Sequence, residues 1–288
     1  MRKEDLHYLV EVKKEYPQLS HAANILAKIN GKLNSKQKEA LEQLVPVYVD
    51  YLRTALSLKR TNKKRVIKLV EILNAYYNFM HINGLENVFT AQGKFRPTIL
   101  EEFLFLLFKN YVSSKIAEFQ AEDIMDSGAV KAYSNIYFKA RDFQNFIENP
   151  EIGVNEKDQD YAIYRTFNIT VNDDYPLKIR IPAIAIEAKT YIDKTMLDSI
   201  IATAEKLKSG NPHTRFIAVA ERYDVSYAVD PAYSRIDQIY VLRKTMRKQE
   251  WSDIDANVVW RLYSETINHL ERPWFDVEQK IADEGVVI

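Results

Sequence analysis

The 288-residue chain contains no cysteine. Disulfides, zinc–thiolate and iron–sulfur clusters and a cysteine nucleophile are therefore excluded, and the composition fits a reducing compartment. No apolar run approaches the roughly 20 residues that a membrane helix requires. The charged N-terminus, Met1–Asp5, is not followed by the apolar stretch of a signal peptide. We therefore expect a soluble, cytoplasmic protein without a membrane partner.

Glycine is scarce, and its seven copies are scattered along the chain. The sequence therefore has no glycine-rich loop of the dinucleotide-binding or Walker type, which excludes nucleotide binding by those routes. The five histidines are also far apart, and none has the spacing of a metal-binding pair. We interpret each histidine as an ordinary core or surface residue.

Net charge is absent as well, because 40 basic residues balance 40 acidic ones. Any site for a polyanion must therefore be local. Residues 1–93 carry 15 Lys and Arg against 9 Asp and Glu, and six of these cations lie close together. They are Lys59, Arg60, Lys63, Lys64, Arg65 and Lys68. Cations around a helix start oppose the helix dipole, so the cluster indicates either contact with a phosphate backbone or a solvated junction between two helices.

The periodicity of apolar residues divides the chain into two regions. Residues 1–93 show the three-to-four spacing of helices, with capping residues at Asn34–Ser35 and Thr61–Asn62 and a helix end near Gly84. Residues 94–288 mix helices and strands, which predicts an α/β or α+β fold with a mixed sheet flanked by helices. We expect residues 1–93 and 94–288 to form two separate domains.

Several elements are predicted within the second region. Thr98 and Glu101 have the spacing of a capping box before a strongly apolar helix. Residues 161–171 and 177–186 alternate as two strands around a turn at 172–176, which predicts a long antiparallel hairpin. A helix at 196–207, strands at 216–220 and 236–242 and a helix at 257–270 follow.

Glu187 and Lys189 end the second hairpin strand directly after an apolar run, where unpaired charges are costly. Their spacing of two places them on one face of the sheet. With the turn near residues 173–174, opposed residues have numbers that sum to about 347–349, so the pair faces residues 158–162. Asp158 and Asp160 both lie there, and we favour Asp160 because it adjoins the strand.

Two carboxylates beside a lysine form an oxygen-rich site that suits Mg²⁺. Asp160, Glu187 and the carbonyl of Ala188 would be the ligands. Such a site points to hydrolysis of a phosphodiester bond, with Lys189 orienting or deprotonating the attacking water or offsetting charge on the phosphate. The alternative is an ordinary salt-bridge cluster at a sheet edge.

The order Asp160, then Glu187-Ala188-Lys189 on the facing strand, then helix and strand, resembles the PD-(D/E)xK nuclease core. The wider runs 157–163 and 181–196 resemble the type II restriction endonucleases related to BbvCI, which read CCTNAGC-like sites. The likeness covers residues 94–245. It departs from the pattern at Gln159, where proline is expected.

The resemblance implies a Mg²⁺-dependent, site-specific endonuclease of the bacterial cell interior that acts on double-stranded DNA. Residues 94–288 would then be its catalytic domain, and the helical residues 1–93 would embrace the DNA backbone. It also implies a carboxylate from the helix before the sheet, for which Glu102 is our candidate. Relatives of this kind assemble as homodimers or from two related subunits, each of which cuts one strand. Two alternatives remain: a repair or junction nuclease on the same core, and a non-catalytic DNA-binding subunit.

Overall fold

The computed structural model describes residues 2–89, 95–171, 175–274 and 277–285. Within these ranges the chain forms nine α-helices and five β-strands, and none of the helices could span a membrane. The helices are α1 Lys3–Glu15, α2 Ser20–Ile29, α3 Ser35–Ser57, α4 Lys63–Ile82, α5 Pro97–Phe119, α6 Phe143–Glu148, α7 Lys194–Gly210, α8 Ala256–Glu271 and α9 Val277–Glu284. The strands are β1 Met125–Lys139, β2 Glu151–Val171, β3 Tyr175–Ile192, β4 Arg215–Tyr223 and β5 Gln238–Val241.

The helical region begins and ends its helices largely where the sequence predicts. The side chain of Asn34 caps α3 in a capping box with Gln37, and that of Asn62 caps α4 by accepting a hydrogen bond from the main chain of Arg65. After α4, Gly84 adopts φ +63, a left-handed conformation that glycine tolerates best. The predicted caps at Asn34 and Asn62 are confirmed.

The strands form one mixed sheet in the order β1-β2-β3-β4-β5. β1, β2 and β3 are antiparallel neighbours, whereas β4 and β5 run parallel to β3. Helix α7 makes the crossover from β3 to β4. The predicted fold class is confirmed, but the sequence analysis missed β1 and placed the start of β2 ten residues too late.

The β2–β3 hairpin fixes the position of the candidate site. Tyr161 pairs with Ile186, and Thr170 pairs with Pro176, so that the numbers of paired residues sum to 347 or 346 across a single register shift after Ile163. This agrees with the predicted register to within about one residue. Residues 172–174 of the predicted turn lie outside the described residues.

The sheet separates two hydrophobic clusters. One face packs against the helical region, α5 and α8, and the other packs against α7. The larger cluster joins side chains from both sides of the predicted boundary at residue 93, such as Tyr48 and Ile186. That boundary lies outside the described residues, and the division into 1–93 and 94–288 stays a prediction.

Helix α5 lies at the centre of the larger cluster. Twelve of its residues between Thr98 and Val112 are buried, including the run Phe103–Phe108. The predicted capping box at its start is wrong, because the helix begins at Pro97 after Arg96, whose side chain makes no capping hydrogen bond. The Thr98 hydroxyl instead donates a hydrogen bond to the carbonyl of Phe95 and contacts His21.

Candidate active site

Asp160, Glu187 and Lys189 come together where β2 and β3 meet near the carboxyl end of β3. Nζ of Lys189 lies 3.0 Å from Oε1 of Glu187 and 3.5 Å from Oδ2 of Asp160. The same Oδ2 accepts a hydrogen bond from the main-chain nitrogen of Ala188 at 2.8 Å. One carboxylate of β2 is therefore attached to β3 at two points.

Strand alternation explains why these side chains meet. Ile186 and Ala188 point into the larger hydrophobic cluster, so Glu187 and Lys189 point to the opposite face, on which α7 lies. The side chains are partly buried, with 29% of Asp160, 16% of Glu187 and 29% of Lys189 exposed. The site is thus open to a large ligand yet shielded enough to strengthen its electrostatic interactions.

Asp158, the alternative candidate, occupies a different position. Its side chain is exposed, and its register partner is Lys131 on β1. Contacts with Ala188 and Lys189 are made by Asp160. The geometry therefore favours Asp160 as the carboxylate that acts with Glu187.

The charges of the cluster act on Lys189. Burial favours a lower pKa for this lysine, but the carboxylates of Asp160 and Glu187 outweigh burial, and the pKa of Lys189 lies above its ordinary value. Lys189 is therefore a protonated ammonium group at neutral pH in this arrangement. It holds the two carboxylates together despite their like charge.

The donor set of the cluster fits Mg²⁺. This ion is usually bound through one or two carboxylates, with water and substrate oxygens completing its shell. The N–H of Ala188 faces β2, and in a strand the carbonyl of the same residue faces the same way. Ala188 lies two residues beyond Ile186, which pairs with Tyr161 of β2. Across the described ranges, no group of three or more His, Cys, Asp or Glu side chains could hold a metal, so a site here depends on two carboxylates and main-chain oxygen.

The structure gives Glu102 a different task from the predicted one. Its side chain is buried; Oε2 accepts hydrogen bonds from the main-chain nitrogens of His21 and Ala22, and Oε1 accepts one from the hydroxyl of Tyr48. The carboxylate therefore stabilises the N-terminus of α2, where a negative charge is favourable. Burial raises the pKa of Glu102 to about 7.

Glu102 also lies on the wrong side of the sheet for the predicted role. Its neighbours Phe103 and Leu104 belong to the cluster that contains Ile186, whereas Glu187 points to the opposite face. The expectation that Glu102 completes the metal site is therefore not supported by its contacts. The carboxylate of Glu102 instead joins α5 to α2 through its hydrogen bonds from His21 and Ala22.

The predicted DNA-binding cluster is divided by the structure. Lys59, Arg60, Lys63, Lys64 and Lys68 are exposed, and Lys68 forms an ion pair with Glu71 at 3.0 Å. Arg65, in contrast, is buried and donates hydrogen bonds to the carbonyls of Leu58, Leu106 and Leu107. The assignment of Arg65 to DNA contact is wrong, because its guanidinium group holds α4 against α5.

The exposed cations lie far from the candidate active site. They flank the start of α4, whereas Tyr77 near its end donates a hydrogen bond to Glu221 on β4. Fourteen residues of helix separate Lys63 from Tyr77, or about 21 Å at 1.5 Å per residue. A ligand that touches both places must be long.

A second basic segment was missed by the sequence analysis. Residues 243–248 contain Arg243, Lys244, Arg247 and Lys248 between β5 and α8. Four cations in six residues were a visible signal, but they balance acidic neighbours such as Glu250 and Asp253 in a local charge count. The structure places them beside the carboxyl ends of β4 and β5, at the same end of the sheet as Lys189.

Comparison with known proteins defines the class. A model of the family described as Bpu10I restriction endonuclease matches residues 92–270, more than half of the chain. The chain belongs to the Bpu10I restriction endonuclease family and is a site-specific deoxyribonuclease of type II. Its predicted relation to the restriction endonucleases is confirmed.

The fold is shared with a protein of known structure. A solved structure described as the native BbvCI A2B2 tetramer matches with a TM-score of 0.69 and 20% sequence identity, over 89% of this chain and 98% of that chain. At this identity the likeness shows a shared fold. No curated protein matches the chain.

Proposed function

We propose that this restriction endonuclease hydrolyses phosphodiester bonds of double-stranded DNA with Mg²⁺ at the cluster of Asp160, Glu187 and Lys189. One observation carries the proposal: Oδ2 of Asp160 contacts both Ala188 and Lys189, so the two carboxylates and the lysine meet at one end of the sheet. The main-chain hydrogen bond from Ala188 fixes the position of Asp160, which is more than an ordinary surface salt bridge with Lys189 would require. The donor types are those of a site for a hard divalent cation.

The roles of the side chains follow from their chemistry. Asp160, Glu187 and the carbonyl of Ala188 would hold Mg²⁺, which when bound supplies positive charge that polarises the phosphate and favours ionisation of water. Lys189 presents its Nζ next to the carboxylates, where the ammonium group can donate hydrogen bonds to phosphate oxygens. Charge that develops on the phosphate during hydrolysis is thereby stabilised by a fixed donor.

The exposed cations near the start of α4 provide a contact with the DNA backbone away from the cut bond. Arg65 is buried and cannot make this contact, whereas four cations beside it are exposed: Lys59, Arg60, Lys63 and Lys64. These contacts would position the protein without reading sequence.

Cleavage of both strands requires more than one chain. The geometry provides one cluster of Asp160, Glu187 and Lys189 in each chain, and one such site cuts one strand. We therefore propose that two chains act together, either as a homodimer or with a related subunit. Symmetric pairing is the common solution for homo-oligomers.

Digestion of supercoiled plasmid by the purified chain tests the proposal. Mg²⁺ is supplied in one reaction, EDTA replaces it in another, and Lys189→Ala is the matched variant. Discrete linear fragments that disappear in both controls indicate a self-sufficient homodimer, whereas site-specific nicks indicate one subunit of a two-subunit enzyme.

Three results would contradict the proposal. Cleavage by Lys189→Ala at the wild-type rate would remove this cluster from the reaction. Absence of cleavage even after a related subunit is added would favour a non-catalytic DNA-binding role, and cutting without sequence preference would favour a repair or junction nuclease.

A further inference from the structure

The segment between β5 and α8, residues 242–255, lies against the end of β4. Met246 forms an isolated parallel bridge with Tyr223, and the main chain of Tyr223 exchanges hydrogen bonds with Thr245 and Arg247 at 3.1 and 3.2 Å. Nη1 of Arg222 donates a further hydrogen bond to the carbonyl of Arg247 at 3.1 Å. The backbone at Arg247 is thus held in place by β4.

The side chain of Arg247 reaches across β4 towards β3. Its guanidinium carbon lies 3.8 Å from the centre of the Tyr191 ring, a contact that fixes the planar group over an aromatic face. Tyr191 is two residues beyond Lys189 on β3, or about 7 Å along the strand. Arg247 is therefore placed directly beyond the proposed catalytic cluster.

The guanidinium group of Arg247 remains available to a ligand. About half of its side chain is exposed, and its ion pair with Asp224 is long, at 3.9 Å. A bidentate guanidinium–carboxylate pair has N–O distances of about 2.7–2.9 Å. The carboxylate of Asp224 is therefore too distant to accept close hydrogen bonds from the N–H groups of Arg247.

The surroundings of Arg247 carry an excess of positive charge. Arg96, Arg222 and Arg243 all lie within 5.4 Å of the Trp251 ring centre. Two carboxylates face these three arginines: Glu221 pairs with Arg96 and Arg243, and Glu86 pairs with Arg96 at 3.3 Å. Arg222 donates its hydrogen bond to a main-chain carbonyl. Burial, followed by repulsion from Arg243 and Arg96, lowers the pKa of Arg222. An anion at this edge would relieve that repulsion.

We propose that Arg247, held over Tyr191, binds a phosphate group of the DNA backbone next to the bond that is cut. Arg222 is a positioning residue, because it fixes the carbonyl of Arg247. The contact lies at the carboxyl ends of parallel strands, where open α/β sheets commonly bind ligands. The location of the cut bond in this inference rests on the proposed function.

The test is DNA binding without cleavage. Wild type and Arg247→Ala are titrated with a short labelled duplex of arbitrary sequence in EDTA, by fluorescence anisotropy over a series of salt concentrations. Loss of one phosphate contact makes the negative slope of log K against log salt shallower by about 0.9. We expect this change together with an affinity loss of about tenfold at low salt, the scale of one charge-assisted hydrogen bond.

Arg235→Ala is the matched control. Arg235 has a similar exposure, 51%, and also forms one ion pair, with Glu205 at 3.1 Å. It precedes β5 and therefore lies at the other end of the sheet. We expect Arg235→Ala to bind like wild type, and Tyr191→Phe, which keeps the ring face, to bind better than Tyr191→Leu.

Several outcomes overturn the inference. One is equal binding by Arg247→Ala and Arg235→Ala. A second is an affinity loss in Arg247→Ala without a change in the salt slope, and a third is no measurable binding by wild type at low salt. Because the assay contains no divalent metal, its result is independent of catalysis. Failure of the proposed function would appear separately, as full cleavage by Lys189→Ala.

Discussion

The carboxylate of Asp160 accepts a hydrogen bond from the main chain of Ala188 across the β2–β3 pair, at 2.8 Å. This contact orients Asp160 before any ligand binds, because the donor belongs to the backbone of the neighbouring strand. Ala188 lies between Glu187 and Lys189, so the same hydrogen bond fixes Asp160 relative to both. A site that is held in this way loses little entropy when it takes up its ligand.

Replacement of Asp160 should slow cleavage, whereas replacement of its neighbour Asp158 should not. Asp160→Asn keeps an oxygen that can accept from Ala188 but removes the negative charge, so we expect cleavage to slow by at least about 10²-fold, the scale of one electrostatic group at a reacting centre. Asp158→Asn, at an exposed position, should cleave like wild type. Initial rates on a plasmid substrate measure both. Equal rates for the two variants would refute the assignment of Asp160.

Replacement of Arg65 should affect stability rather than DNA binding. Arg65→Ala removes three hydrogen bonds to the carbonyls of Leu58, Leu106 and Leu107, and we expect the free energy of unfolding to fall by about 2–4 kcal/mol. Lys64→Ala, at an exposed neighbouring position, should change it by less than about 0.5 kcal/mol. Urea denaturation followed by circular dichroism compares them. A stable Arg65→Ala protein with weakened DNA binding would contradict this role.

Glu102 should make stability depend on pH. Burial raises its pKa to about 7 from an ordinary value of 4.5, so the folded protein binds a proton that the unfolded chain releases between these values. The stabilisation is complete below pH 4.5 and is lost as the pH rises through 7, by about 3 kcal/mol at 1.36 kcal/mol for each pKa unit. Glu102→Gln removes this dependence, since its amide can still accept from His21 and Ala22.

His21 should oppose that trend. Burial lowers the pKa of His21 to about 3 from 6.5, so its contribution is present above pH 6.5 and is lost as the pH falls. Between pH 4.5 and 6.5 the two contributions of wild type have opposite slopes. The difference in unfolding free energy between wild type and Glu102→Gln, measured by urea denaturation across this range, isolates Glu102. A difference that stays constant from pH 4.5 to 7 would contradict the expectation.

Glu221 should be required for the core between β4 and α4. Its carboxylate and the guanidinium group of Arg243 are both fully buried, at 2.9 Å, and it also pairs with Arg96. Glu221→Gln leaves a buried guanidinium charge without its counter-charge, and we expect a loss of about 3–5 kcal/mol in unfolding free energy. Glu205→Gln, which removes an exposed partner of Arg235, should cost at most about 1 kcal/mol. Similar melting temperatures for the two variants would refute this prediction.

The sequence predicted which residues of β2 and β3 lie beside each other because, in a hairpin, the position of the turn fixes the pairing of the two strands. Once the turn is placed near residues 173–174, the pairing of Tyr161 with Ile186 follows, and Asp160 lies beside Glu187 and Lys189. The chemistry of these three residue types then limits the possible functions. No packing information is needed for either step.

The sequence could not predict contacts that depend on packing between distant helices. Arg65 looks like the lysines around it, and only the approach of α5 brings the carbonyls of Leu106 and Leu107 within its reach. Glu102 likewise meets the start of α2, about eighty residues away in sequence. Strand β1 was missed because its second half is exposed and lacks the alternation of a half-buried strand.

The burial of most of α5 between Thr98 and Val112 determines how the protein can be divided. Between Thr98 and Val112 the helix is covered by the N-terminal helices on one side and by the sheet and α8 on the other. A chain that ended before α5, or one that began with it, would expose a row of Phe and Leu side chains to water. The helical region is therefore not a removable module, because its transfer to another protein would require transfer of the residues of α5 and the sheet that it packs against.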